Sequence, residues 1–102
     1  MIRLVATVTV APELVEECIE RARGMLTSDP AVLEAEVGPC RDVRTGKPIA
    51  GDYVVSAAFA DHDALLRYVE GPGHTKVLEW ILPHRLEEHV TVYEVERLRS
   101  AR

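Results

Sequence analysis

The chain has 102 residues and a formal charge of −5, and 47% of it is apolar, mostly Val, Leu and Ala, with one Trp, one Phe and three Tyr. That length suits one small domain whose own core leaves much surface uncovered, so self-association is expected from the outset. The acidic balance and the scarcity of aromatic residues exclude a nucleic-acid binder, and no apolar run approaches the roughly 20 residues of a membrane span. The first residues read as a strand and lack the layout of a secretion signal, and Cys18 and Cys40 form no Cys-x-x-Cys pair. A cytoplasmic protein with two reduced thiols is expected.

Ile2 to Val10 is rich in β-branched residues and places Ile2, Leu4, Ala6, Val8 and Val10 on one face at period two, which predicts a strand. Its other face carries Arg3, Val5, Thr7 and Thr9, semi-polar and suited to a pocket or a second interface. Pro12 opens a helix whose Leu14, Val15, Cys18, Ile19, Ala22, Met25 and Leu26 recur at helical spacing, with Glu13, Glu16 and Glu17 at its positive end. Cys18 in this setting reads as a small core residue and not as a nucleophile. Thr27 to Pro30 end the helix.

Val32 to Val37 alternates apolar residues with Glu34 and Glu36, and predicts a second strand bent near Gly38 and Pro39. The two glutamates suggest the carboxylate pair of a glycosidase, but on one strand without a pocket they read as a solvated face. Arg41 to Gly51 is loop-like, a hairpin connection whose three cations are arranged to clasp an anion or simply to face solvent. Asp52 to Ala60 is apolar on both faces, so a third strand covered on both sides is expected. Asp61 then caps a helix containing Leu65, Leu66, Tyr68 and Val69.

Gly71-Pro72-Gly73 breaks that helix and starts another, with Pro72 in the first turn and His74 just after it. The positive end of a helix dipole opposes an imidazolium, so His74 is expected to be neutral and usable as a base near pH 7. Val77, Leu78 and Ile81 continue the helix to Pro83, and Leu82 to Glu88 reads as a loose helical turn. His84 and His89 lack the i, i+4 spacing of a helical metal pair, and no metal is expected. Val90 to Val95 is the last strand, and Arg97, Arg99 and Arg102 sit in a short basic tail.

The order strand, helix, strand, strand, helix with an extension, strand predicts an α+β fold of ferredoxin-like type, a four-stranded antiparallel sheet with helices on one face. A doubly apolar third strand then needs a cover on the other face, and a second copy of the chain, packed sheet to sheet, is the economical one. Residues 1–97 form the domain in this reading and 98–102 the tail.

The run from Tyr53 to Glu96 resembles the second half of the stress-responsive dimeric α+β barrel family: a strand ending in Phe59, an acidic helix start at Asp61, Tyr68, a Gly71-Pro72-Gly73-His74 turn, Leu82-Pro83, and a Val-rich strand from Val90 to Tyr93. Pro30 to Leu33, through to Gly38, similarly resembles the family's entry to its second strand. The resemblance implies a homodimeric α+β barrel with a pocket between sheet and helices in each subunit. It also implies a catalytic pair, since in a plant polyketide cyclase of this family a tyrosine and a histidine with the spacing of Tyr68 and His74 act as acid and base in an aldol ring closure. Gly71 stands where the family has its first histidine, and Arg3 where a first-strand histidine is often found.

The expected chemistry is cofactor-free: no Gly-rich phosphate loop or nucleophile elbow is present. His74 is the expected base and Tyr68 the acid, with Arg3, Tyr53, Phe59 and Trp80 expected to contact a hydrophobic small-molecule substrate. A cofactor-independent monooxygenase and a dimeric protein that binds a small molecule or answers stress without turnover are the competing readings.

Overall fold

The central strand of the sheet is β1 (Ile2–Thr9), paired antiparallel to β3 (Pro48–Phe59) on one side and to β4 (Glu87–Glu94) on the other. β2 (Glu34–Arg41) adds to the far side of β3, giving the order β2-β3-β1-β4 of a ferredoxin-like α+β fold. The computed structural model describes residues 1–99. Three helices complete the chain: α1 (Val15–Ser28), α2 (His62–Val69) and α3 (Pro72–Ile81). No helix among the described residues is long and apolar enough to cross a membrane.

Period-two alternation sorts β1 as expected. Leu4 and Val8 are buried against the helices with Tyr53, Val55, Ala57 and Phe59 of β3, and Cys18, Ala22, Met25 and Leu26 of α1 close the layer. The register Leu4↔Ala57 and Ala6↔Val55 aligns these rows. On the opposite face Arg3 lies beside Ala58, and Ala58 beside Glu34. Arg3 donates from Nη1 to Ser56 Oγ and from Nη2 to Glu34 Oε1, both at 2.8 Å. This bridge spans Ala58, which is wholly buried although it faces away from the helices. Glu34 thus anchors a cross-strand bridge and does not belong to a carboxylate pair.

Several boundaries differ from the pattern-based expectation. The first helical turn, Pro12–Leu14, is 3-10, and α1 proper starts at Val15. β2 runs on through Gly38 and Pro39 to Arg41, with an irregularity between Pro39 and Arg41; an edge strand tolerates a proline, whose missing N–H faces no partner. The expected loop from Arg41 to Gly51 shrinks to a tight turn, because β3 starts at Pro48. Arg41 donates to the Gly46 carbonyl at 2.6 Å, and the Asp42 carboxylate accepts the N–H groups of Arg44 and Thr45 at 2.9 Å each, which holds its pKa below the ordinary range. Arg41 therefore ties the turn to itself. β4 starts at Glu87, three residues before the expected Val90, and the loose turn before it is confined to Leu82–His84. Of the basic tail, Arg97 approaches Glu34 at 3.6 Å, while Arg102 lies outside the described residues.

Gly51 fixes where β3 meets β1. Its φ is +88° and its carbonyl accepts the Val10 N–H at 2.9 Å, while a Cβ there would stand 2.5 Å from the Val10 carbonyl oxygen. Only glycine fits such a position. Replacing Gly51 with Ala should cost more than about 2 kcal/mol of folding stability. Gly24→Ala, inside α1 where an added Cβ meets nothing within 4 Å, should instead stabilise by about 0.5–1 kcal/mol. Urea titration of the two variants beside the parent chain checks both signs.

Candidate active site

Tyr68 and His74 meet because of how α2 hands over to α3. Asp61 caps α2, its carboxylate accepting the Ala64 N–H at 2.9 Å, so the helix starts where the sequence expects. The chain then turns within three residues of Tyr68: the Gly71 N–H donates to the Tyr68 carbonyl at 3.1 Å, and a Cβ on Gly71 would lie 3.0 Å from the Arg67 carbonyl. Gly71 caps α3, and Thr75 returns to the Gly71 carbonyl with its N–H at 3.1 Å and its hydroxyl at 3.0 Å. One tight turn thus brings the rings of Tyr68 and His74 to 5.0 Å between centroids.

Both rings line a cavity of about 410 Å³ between the sheet and the helices. Leu4, Ala6 and Val8 form its floor, Val77, Leu78 and Ile81 of α3 its roof, and Tyr53 and Met25 part of its wall. Volume and apolar lining are those of a small-molecule pocket. The polar groups are few: the two tyrosines, His74, and a charged pair at the corner where α3 passes to β4. There Arg85 Nη1 donates to Glu88 Oε1 at 3.0 Å.

The protonation states are set by burial. His74 is pulled below the ordinary imidazole range by desolvation, against a smaller opposing pull from the Val69 carbonyl and the Glu88 carboxylate. Its Nδ1 is buried and makes no hydrogen bond. Tyr68 is pushed well above the ordinary phenol value by burial and then by the Asp29 carboxylate, so it stays a donor. Its hydroxyl donates to the Met25 sulfur at 3.4 Å, a weak acceptor that a better one readily replaces. Tyr53 is likewise held protonated by burial, with the Cys18 sulfur beside it, and the Cys18 thiol is itself pushed up by burial.

The other expected contact residues are distributed differently. Tyr53 lines the cavity. Phe59 sits behind Tyr68, ring centroids 5.2 Å apart, and is wholly buried, so it braces the tyrosine from the core. Trp80 packs half-buried against the core but does not line the cavity, its ring tilted 48° to that of His84 at 5.1 Å and capped by the Arg21 guanidinium 4.1 Å above it. Arg3 is on the opposite face of the sheet, bonded to Ser56 and Glu34, and is not brought to His74. An odd-numbered residue of β1 cannot share a face with Leu4, Ala6 and Val8. Arg85 and Glu88 escaped the sequence reading. The signal for Glu88 was its period-two phase with Val90 and Val92, masked by the assumption that β4 began later.

Sheet order, helix placement and this cavity define a ferredoxin-like α+β protein with an apolar cavity between sheet and helices. The chain belongs to the stress responsive A/B barrel domain family, whose model matches residues 3–97. No curated protein sequence matches it. Among solved structures it is similar to a dimeric ferredoxin-like protein of unknown function from Thermobifida fusca, 20% identical over 92% of this chain and 90% of that one, with a TM-score of 0.76. It is also similar to SnoaB, a cofactor-independent oxygenase from Streptomyces nogalater, at 20% identity over 97% of each chain and a TM-score of 0.75. A protein from Arabidopsis thaliana aligns at 14% identity over 98% of this chain and 100% of its own, with a TM-score of 0.76.

The depressed His74 pKa has a consequence for stability. Above the unfolded value near 6.5 both states hold a neutral imidazole and the residue contributes no pH dependence. Below it the unfolded chain takes up a proton that the folded chain resists, so stability falls with pH through that window. Thermal unfolding at pH 7.5 and pH 5 should show a smaller loss for His74→Gln than for the parent chain.

Proposed function

We propose that this chain is a cofactor-independent acid/base enzyme that closes a ring in a small polyketide-like or aromatic substrate by an aldol-type step. The observation that carries this reading is the pairing of a neutral His74 with a protonated Tyr68, ring centroids 5.0 Å apart, on the wall of an apolar cavity. A neutral imidazole removes the acidic proton from a carbon between two carbonyls, and the enolate charge develops on an oxygen that the Tyr68 hydroxyl reaches by leaving the Met25 sulfur. The enolate carbon attacks a second carbonyl of the same molecule and forms the carbon–carbon bond. The new alkoxide takes its proton from Tyr68, and the imidazolium restores it to the phenol oxygen. Proton transfer of this kind typically contributes 10²- to 10⁴-fold, and exclusion of water by the cavity strengthens the hydrogen bond to the enolate.

His74→Ala should lower ring-closing turnover at least about a hundredfold, and Tyr68→Phe about tenfold or more, with circular dichroism unchanged. Unchanged turnover in a folded His74→Ala protein removes the mechanism. The similarity to a cofactor-independent oxygenase favours one second reading, in which the same His74 deprotonates a phenolic substrate that then reacts with oxygen. An oxygen electrode separates the two, since ring closure consumes none. A ligand recovered unchanged after long incubation supports binding without turnover instead.

The same proposal includes a homodimer joined through the open face of the sheet. Val5, Val54 and Tyr93 lie on that face between polar neighbours, and the Thermobifida fusca relative is described as dimeric. A mass of about twice 11.3 kDa is expected by sedimentation, and Val54→Glu, which places a charge in the middle of the contact, should return it to the monomer value.

A further inference from the structure

We propose that Arg85, held by Glu88 at the corner between α3 and β4, is an anion-recognition residue, and that the cavity takes an apolar molecule ending in a carboxylate. The corner is pinned. The N–H groups of His84 and Arg85 both donate to the Ile81 carbonyl at 2.9 Å, and the Leu86 N–H donates to the Thr9 carbonyl at 2.8 Å. Arg85 therefore extends from a defined backbone position. Its ion pair with Glu88 is partly desolvated, with side-chain exposures of 32% and 24%, and both residues line the cavity.

Stability gives little reason for such a pair, because an i, i+3 ion pair in partial contact with water contributes under about 1 kcal/mol. Recognition gives a better one. Among the described residues only Nη1 of the guanidinium is engaged, by a single Glu88 oxygen, which leaves Nε and Nη2 as a second donor edge. That planar fork matches a carboxylate. The rest of the lining offers an anion nothing comparable: the floor is Leu4, Ala6 and Val8, the tyrosines are neutral, and His74 is held neutral by burial. A bound acid therefore has one orientation, its carboxylate on Arg85 and its apolar body along β1 towards Tyr68 and His74. Glu88 lines the same cavity and its carboxylate opposes a bound acid, so the unengaged Nε and Nη2 edge of Arg85 must outweigh it.

The subsite shares only the cavity with the proposed ring closure, and it is tested without turnover. Calorimetric titration of the full chain at pH 7.5 and low salt compares decanoate with 1-decanol, which have the same tail and differ in charge. Decanoate should bind the parent chain at least tenfold more tightly than the alcohol. Arg85→Gln should weaken decanoate at least tenfold and leave 1-decanol unchanged, while Arg85→Lys, a point charge without the fork, should fall between. Equal affinity of the parent chain for acid and alcohol overturns the proposal, a result that depends on no variant folding; so does an Arg85→Gln protein that keeps the preference. A chain that binds decanoate through Arg85 yet closes no ring refutes the chemistry and leaves the subsite standing, and turnover without acid preference does the reverse.

Discussion

β1 has partners on both sides, and that one condition decides which side chains ever meet. Its register with β3 and β4 is fixed residue by residue from Ile2 to Thr9, and the Gly51 carbonyl on the Val10 N–H pins one end of the ladder. Because side chains alternate across a strand, a slip of one residue would exchange Leu4, Ala6 and Val8 for Arg3, Val5 and Thr7 against the helices. The cavity floor would become polar, and the bridge over Ala58 would lie in the core without water. Every functional placement in the molecule inherits this parity.

On the helix side, parity supplies an apolar floor, and the α2–α3 turn sets Tyr68 and His74 above it. The electrostatics there are simple for a site with five ionisable side chains on its walls. Burial keeps His74 unprotonated and both tyrosines protonated, so three of the five are neutral at pH 7. The remaining two, Arg85 and Glu88, neutralise each other at the mouth, where water still reaches them. A largely apolar cavity holds this many titratable groups at low cost in this way, because an unpaired buried charge costs far more than a neutral polar group. Across the sheet Arg3 is paired in the same way, more buried than Arg85 and bonded laterally to Ser56 and Glu34 over a small residue.

The sequence made the fold legible because each element announces itself locally: β-branched alternation for β1, Asp61 as a cap, and Gly71-Pro72 as a break. It also made Tyr68 and His74 legible as a pair, since they flank that break and need only a tight turn to meet. The residues it misplaced depend on relations that no local pattern encodes. Arg3 is drawn toward the histidine only by the family resemblance, whereas the period-two pattern of β1 already sets it with Val5 and Thr7 on the other face, where the structure has it. Trp80 falls on the flank of α3 that meets α1, where Arg21 caps it, and not on the flank that lines the cavity. Glu88 entered the site only because β4 begins at Glu87, and hydrogen-bonded pairing with the end of β1, not any β-propensity of Glu87 and Glu88, extends the strand that far.

The unpaired Nδ1 of His74 bears on why such a site is sustained at all. A buried polar atom without a partner costs on the order of 1–3 kcal/mol, a large share of the stability of a chain this small. A core histidine kept for packing alone would be replaced without loss by a residue of similar size and no polar atoms. The surrounding structure instead holds the position: Gly71 lets the turn close tightly against the Arg67 carbonyl, Thr75 doubles its bond to the Gly71 carbonyl, and Phe59 braces Tyr68 from behind. Preorganisation of this kind, held in place by ordinary packing and hydrogen bonds, is what the proposed acid/base role calls for, because the neutral form of imidazole is the one that can accept a proton.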